Sequence, residues 1–136
     1  MNTNANTAQK LDTKVLHSTL WVIVMINILT ADVLGLNVPG SEELLKATSV
    51  SIGAPIPILM LIGAVLNELS IAMIILSRAL KYGVDRWLNI VVGIVTIAYI
   101  WAGAAPYPHY TFIAMVETIC LLLIISKAWK WSNPEE

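Results

Sequence analysis

The fold is decided by an apolar run near the start of the chain, Thr19–Leu36, which reads TLWVIVMINILTADVLGL. A helix needs about 20 mostly apolar residues to cross the hydrocarbon core of a bilayer, and this run approaches that length. It is too long for the apolar part of a signal peptide, and no small-residue cleavage site accompanies it. We therefore predict a transmembrane helix over about residues 18–36, with the polar residues Asn27, Thr30 and Asp32 inside it.

Three further apolar blocks follow, at about 56–77, 87–105 and 110–130. Pro55 and Pro57 suit the start of the second block, because the first N–H groups of a helix have no partner within it. Ser41 predicts the N-cap of a short interfacial helix over about 41–48. The prediction is an all-α integral membrane protein, an up-down bundle of four transmembrane helices within residues 15–131. We expect a disordered polar tail at 1–14 and a short tail at 132–136.

The composition excludes several other classes of protein. The 136 residues are 57% hydrophobic and only 12% charged, so the four blocks leave no room for a second soluble domain. A net charge of −1 provides no basic surface for nucleic acid. Cys120 is the single cysteine, which excludes an internal disulfide and is typical of a small packing residue.

The basic residues predict the orientation. Seven of the eight Lys and Arg fall on one side of the four-span arrangement: Lys10, Lys14, Arg78, Lys81, Arg86, Lys127 and Lys130. Only Lys46 falls on the other side. Because cytoplasmic loops carry the excess of Lys and Arg, we predict that both termini are cytoplasmic and that the protein resides in the inner (plasma) membrane of a bacterial cell.

Three acids lie inside the predicted spans: Asp32, Glu68 and Glu117. A charge at the bilayer centre costs at least about 2.5 kcal/mol, so we expect these side chains to face the bundle interior. No Lys or Arg lies at their depth, and the cluster therefore either holds protons or receives a cation. The sharper prediction is a pocket that opens outward, although neutral acids that only hydrogen-bond neighbouring helices remain an alternative.

Polar residues near mid-membrane complete the predicted site. Asn27, Asn67 and Thr96 fall at similar depth and form one polar layer beneath Asp32 and Glu117. A stripe of small residues at helical spacing, Asn89, Gly93, Thr96, Ile100 and Gly103, is more typical of close helix packing than of a pocket wall.

The histidines and motifs do not indicate a cofactor. His17 and His109 fall at opposite ends of the spans and cannot share one haem. His109 with two carboxylates has the chemistry of a metal site, but loop histidines are usually solvated, and we predict no metal and no cofactor. No HExxH, phosphate loop, CxxC or Ser/His/Asp constellation occurs in the sequence.

Several segments together resemble a known family. They are LWVIVMIN (20–27), ADVL (31–34), ELSIAMIILSR (68–78), RWLNI (86–90) and WKW (129–131). This ordered set is similar to a bacterial family of small four-helix membrane proteins of unknown function, which implies the fold and offers no activity. A looser similarity, Asp32 and Glu68 on the first two spans, is to emopamil-binding, sigma-2-type and DoxX-like four-helix membrane proteins. The first two of these imply acids that hold amine-bearing or sterol-like ligands.

Our leading hypothesis is that the acids bind a small amphiphilic or cationic molecule. One alternative is a proton- or cation-coupled transporter that acts as a homodimer, since four helices offer few walls. Another is an enzyme on a lipid-soluble substrate, with Glu68 and Asp32 as general acid and base, although we favour binding over catalysis. The fourth hypothesis is a subunit whose small-residue helix faces bind another membrane protein. The expected partners are membrane lipid, the small ligand and a second copy, not nucleic acid.

Overall fold

A computed structural model describes residues 2–103 and 105–131, with side chains from residue 12 onward. This part of the chain is all α-helical, with five helices in the order α1 (Asn2–Leu36), α2 (Ser41–Ile52), α3 (Ile56–Ala79), α4 (Tyr82–Ala102) and α5 (Pro108–Lys130). The predicted tail at 132–136 lies outside the described residues. The all-α prediction is confirmed.

Four helical segments are long and apolar enough to cross a membrane: Asp12–Leu36, Ile56–Ala79, Tyr82–Ala102 and Pro108–Lys130. They correspond to the four predicted spans. Two spans begin earlier than predicted: the first at Asp12 rather than near residue 18, and the third at Tyr82 rather than near residue 87. Helix α2 lies where we predicted a short helix, extends to Ile52 and has no buried residue.

Helix α1 reaches back to Asn2, through residues that we predicted as a disordered tail. Extending an existing helix by one residue fixes one pair of dihedral angles for one hydrogen bond, whereas starting a helix is unfavourable. The apolar part of α1 supplies the start, so the polar residues before it need only extend the helix.

Glycine and proline set the helix ends. Gly40 precedes α2 with φ 88° and Gly53 follows it with φ 72°, a left-handed conformation that glycine adopts without strain. Helices α3 and α5 carry proline in their first turn, where a missing N–H removes no helical bond.

The four long helices form one bundle, in which α1 packs between α3 and α5, and α4 packs against α5 and α3. The core contains large apolar side chains, with Trp21, Met73, Leu121 and Ile124 fully buried, together with several buried polar residues. The outer faces are also apolar, as expected for a surface that faces lipid: Leu29 is 63% exposed. Helix α3 is the least buried of the four long helices in the described chain.

Close helix packing explains the small-residue stripe on α4. A Cβ added at Gly93 would lie 2.9 Å from Cγ1 of Ile125 on α5, so a larger residue here would require the Ile125 side chain or the helices to shift. We name this point of contact between α4 and α5 the Gly93–Ile125 layer.

Candidate functional site

Asp32 on α1 and Glu117 on α5 form the centre of the candidate site. Since α1 packs against α5, the two carboxylates come within electrostatic range of each other. Both belong to the predicted cluster, and the structure brings them together. Of the three acids expected to face the bundle interior, only Glu117 is buried, because Asp32 is exposed on α1. We call Asp32, Asn67, Tyr99, Tyr110 and Glu117 the acidic site.

Glu117 is the most enclosed acid of this site. Its side chain is 2% exposed, and its Oε1 atom has no hydrogen-bond partner in the described part of the chain. A buried carboxylate without a partner is unfavourable, because burial removes its hydration. A proton or a cation at this position would compensate for that loss.

Two tyrosines complete the acidic site. Tyr99 on α4 and Tyr110 on α5 both interact electrostatically with Asp32 and Glu117. The Tyr110 hydroxyl donates to the carbonyl of Ile100 at 3.0 Å, which anchors the ring to α4.

The Tyr99 hydroxyl lies against α3, where a Cβ added at Gly63 would be 3.3 Å from it. The site predicted from the sequence included neither Tyr99 nor Tyr110. Tyr110 could have been found from its spacing to Glu117, because residues seven apart lie on the same face of a helix.

Of the polar layer predicted around the acids, only Asn67 joins the site. Its carboxamide interacts with the Asp32 carboxylate, and its buried Oδ1 has no partner among the described residues. Asn27 instead donates to the carbonyl of Ile23, one turn earlier in its own helix.

Thr96 is buried elsewhere in the bundle. Its hydroxyl donates to the carbonyl of Val92 at 2.8 Å and lies 3.3 Å from the hydroxyl of Ser70 on α3. Thr96 therefore links α3 to α4 by a polar contact.

Glu68 does not face the bundle interior, and the expectation that it does is wrong. Its side chain is exposed on α3. Successive residues on an α-helix differ by about 100° in direction, so when Asn67 points toward Asp32, the next residue turns away. The structure brings Asp32 and Glu117 together without Glu68.

A second buried acid, Asp85, was missed by sequence reasoning, because it lies before the predicted start of the third span near residue 87. Because α4 begins at Tyr82, Asp85 lies in its first turn, and it is fully buried. Asn89 donates to Asp85 Oδ1 at 2.7 Å, and Asp85 Oδ2 has no partner in the described chain. The four-residue spacing of Asp85 and Asn89 was the signal that could have revealed it.

Asn89 links three helices around this aspartate. Its Oδ1 accepts hydrogen bonds from Trp21 Nε1 on α1 at 2.8 Å and from Ser77 Oγ on α3 at 3.2 Å. Lys14 on α1 lies within electrostatic range of Asp85. We call Trp21, Ser77, Asp85 and Asn89 the aspartate cluster.

Both histidines are in contact with aromatic rings. His17 is fully buried beside Trp131, with ring centroids 5.8 Å apart, and neither of its nitrogens has a partner in the described chain. His109 stacks on Tyr107 at 5.7 Å. Within residues 12–103 and 105–131, no three His, Cys, Asp or Glu side chains are grouped to hold a metal ion.

The fold and the buried acids define a class: an all-α protein whose four long apolar helices give it the architecture of a multi-pass membrane protein. The chain belongs to the Family of unknown function (DUF6326), whose model matches residues 8–136. This agrees with the resemblance to an uncharacterised family. Comparison with curated proteins and with solved structures gave no match.

Proposed function

We propose that this is a multi-pass protein of a bacterial inner membrane that binds a small amphiphilic cation at the acidic site, with both termini in the cytoplasm. The observation that carries the proposal is the buried Glu117 carboxyl, whose Oε1 has no partner among the described residues, beside a second carboxylate, Asp32. Two acids with an open hydrogen-bond position attract a cation, and the surrounding apolar helices favour one with an apolar body.

The other members of the acidic site fit such a ligand. The tyrosine rings of Tyr99 and Tyr110 add the negative π-faces to which organic cations are attracted. The open Oδ1 of Asn67 adds a partial negative charge beside the two carboxylates. The site thereby provides charge from two helices, α1 and α5, and apolar or polar contacts from the other two.

The test is binding of the lipophilic cation tetraphenylphosphonium to the full chain in nanodiscs of phosphatidylcholine, measured by equilibrium dialysis. Glu117→Gln keeps the shape of the side chain and removes its charge, so we expect about tenfold weaker binding or more. Glu68→Gln is the matched control, because it makes the same chemical change on the exposed face of α3.

The binding affinities of the wild type and the variants decide whether the proposal holds. Binding that falls in Glu117→Gln and Asp32→Asn but is unchanged in Glu68→Gln supports it. Equal affinity of the wild type and Glu117→Gln, with both folded by circular dichroism, would overturn it, as would the absence of binding to the wild type.

A second candidate is a proton- or cation-coupled transporter. The observation that favours it is the pair of separate buried acids, Glu117 in the acidic site and Asp85 in the aspartate cluster. Along α4, the Gly93–Ile125 layer lies between Asn89 of the aspartate cluster and Tyr99 of the acidic site. Two acidic positions with an apolar barrier between them are what a carrier needs to expose its cargo to one side at a time.

A homodimer is part of this second candidate. Glu68 lies on the exposed face of α3, where lipid contact would be unfavourable and a second copy would provide polar contacts. The test is the rise in internal pH of proteoliposomes that contain the pH dye pyranine, after tetraphenylphosphonium is added outside, because each cation carried inward exchanges for a proton carried outward. Coupled flux that is lost in both Asp85→Asn and Glu117→Gln would favour transport, whereas binding without flux would favour the leading proposal.

A further inference from the structure

A groove separate from the acidic site runs between α1 and α3 and is open along its length to the outside of the bundle. Its volume is about 470 Å³, within the range of small-molecule pockets. The lining is mostly apolar and comprises Ser18, Val22, Ile74, Ile75, Arg78 and Ala79. Since the outer faces of these helices are apolar, the groove faces the region that lipid chains occupy.

One end of the groove carries positive charge. Arg78 is exposed in the last turn of α3, and its Nε donates to Ser18 Oγ at 3.1 Å. No carboxylate in the described part of the chain pairs with its guanidinium, which leaves the other N–H groups free to bind an anion. Ser18 in turn donates to the carbonyl of Ile74, so the hydroxyl holds the arginine against the groove.

A second cation lies next to this end. Lys14 Nζ donates to the carbonyls of Leu80 and Arg78, which places the ammonium at the C-terminus of α3. The mouth of the groove thus combines a guanidinium and an ammonium, whereas the remainder of its lining is aliphatic apart from the Ser18 hydroxyl. This distribution, charged at one end and apolar along the rest, is complementary to an anionic phospholipid.

We propose that the α1–α3 groove binds one anionic phospholipid, with its headgroup phosphate on Arg78 and an acyl chain against Val22 and Ile75. Arginine binds a phosphate through two parallel N–H groups, which the free side of this guanidinium provides. Basic positions between transmembrane helices are a recognised mode of binding anionic headgroups. The proposal does not depend on the acidic site, which shares no residue with the groove.

The test is native mass spectrometry of the full chain in detergent, with phosphatidylglycerol and phosphatidylcholine added at equal concentration. We expect the wild type to retain phosphatidylglycerol preferentially and Arg78→Gln to bind it about fivefold more weakly, close to its binding of phosphatidylcholine. Lys127→Gln is the matched control, because it removes an exposed positive charge from the last turn of α5, outside the groove. A third arm with inorganic phosphate distinguishes a phospholipid from a free anion.

A second variant keeps the test decisive if Arg78→Gln does not fold. Ala79→Phe fills the groove with a ring and leaves the arginine in place, so it should reduce retention of both lipids. Undiminished phosphatidylglycerol binding in Arg78→Gln or in Ala79→Phe would overturn the proposal. Equal retention of the two lipids by the wild type, or displacement of phosphatidylglycerol by inorganic phosphate, would also overturn it.

Discussion

Trp21 Nε1 donates a 2.8 Å hydrogen bond to Asn89 Oδ1, and this fully buried contact joins α1 to α4 across the centre of the bundle. The same Oδ1 accepts from Ser77, and the amide nitrogen donates to Asp85. A single asparagine thus connects α1, α3 and α4 at a position where apolar packing alone would not fix the register of the helices.

Asn89→Leu should therefore destabilise the bundle more than a substitution that removes a single hydrogen bond. The indole, the hydroxyl and the carboxylate would lose their partner together, which we expect to cost about 2 kcal/mol. Reversible unfolding in mixed micelles measures this. Asn27→Leu is the control, because Asn27 is half-buried and bonds only within α1, and it should change stability by less than about 0.5 kcal/mol. Equal effects of the two substitutions would contradict the role given to Asn89.

Gly93→Ala should be destabilising for a steric reason. The new Cβ would lie 2.9 Å from Cγ1 and 3.2 Å from Cδ1 of Ile125, so the helices must separate or Ile125 must adopt another rotamer, at about 1–3 kcal/mol. The double variant Gly93→Ala/Ile125→Ala removes both contact atoms and should recover part of this loss.

Gly83→Ala is the control for that prediction, because a Cβ there meets nothing within 4 Å. It should be neutral or stabilising, since alanine is the better residue within a helix. Thermal unfolding of the four proteins in one detergent gives the comparison. If Gly83→Ala were as destabilising as Gly93→Ala, the close approach of α4 and α5 would not be the cause.

The spans were predictable because their signal is the length of an apolar block, which needs no knowledge of tertiary contacts. The direction of the Glu68 side chain was not predictable, because a helix that is apolar on all sides has no periodic pattern of hydrophobic residues to indicate its inner face. Asp85 was missed for a related reason. The third span was predicted to begin near residue 87, which leaves Asp85 outside it, whereas the structure begins α4 at Tyr82 and bonds Asp85 to Asn89 within the helix.

The acidic site was predictable in part. Asp32 and Glu117 could be found because acids within apolar blocks are rare and energetically unfavourable in lipid. Tyr99 could not be found from the sequence, because its place in the site depends on α4 facing α3 at Gly63. In addition, aromatic rings near the ends of spans are equally typical of the membrane–water interface.

The orientation predicted from the basic residues can be tested with single cysteines. In a Cys120→Ser background, Ser51→Cys on exposed α2 and Lys127→Cys in the last turn of α5 lie at opposite ends of the bundle. If both termini are cytoplasmic, a membrane-impermeant maleimide added to intact cells should label Ser51→Cys and not Lys127→Cys. Permeabilised cells should give labelling at both positions, which controls for access. The reverse pattern in intact cells would show that the basic end faces outward.

Cation binding at the acidic site should weaken as the pH falls. A proton and a cation compensate the same carboxylates, so a rising proton concentration competes with the ligand for Asp32 and Glu117. We expect the apparent Kd for tetraphenylphosphonium to rise between pH 8 and pH 5 in the wild type. In Asp32→Asn/Glu117→Gln, the weaker binding that remains should not vary over this range, because neither position takes up a proton. Glu68→Gln should keep the wild-type dependence, as its side chain lies on the exposed face of α3. A dependence that survives in the double variant would place the proton-binding group elsewhere, with Asp85 in the aspartate cluster the first candidate to substitute.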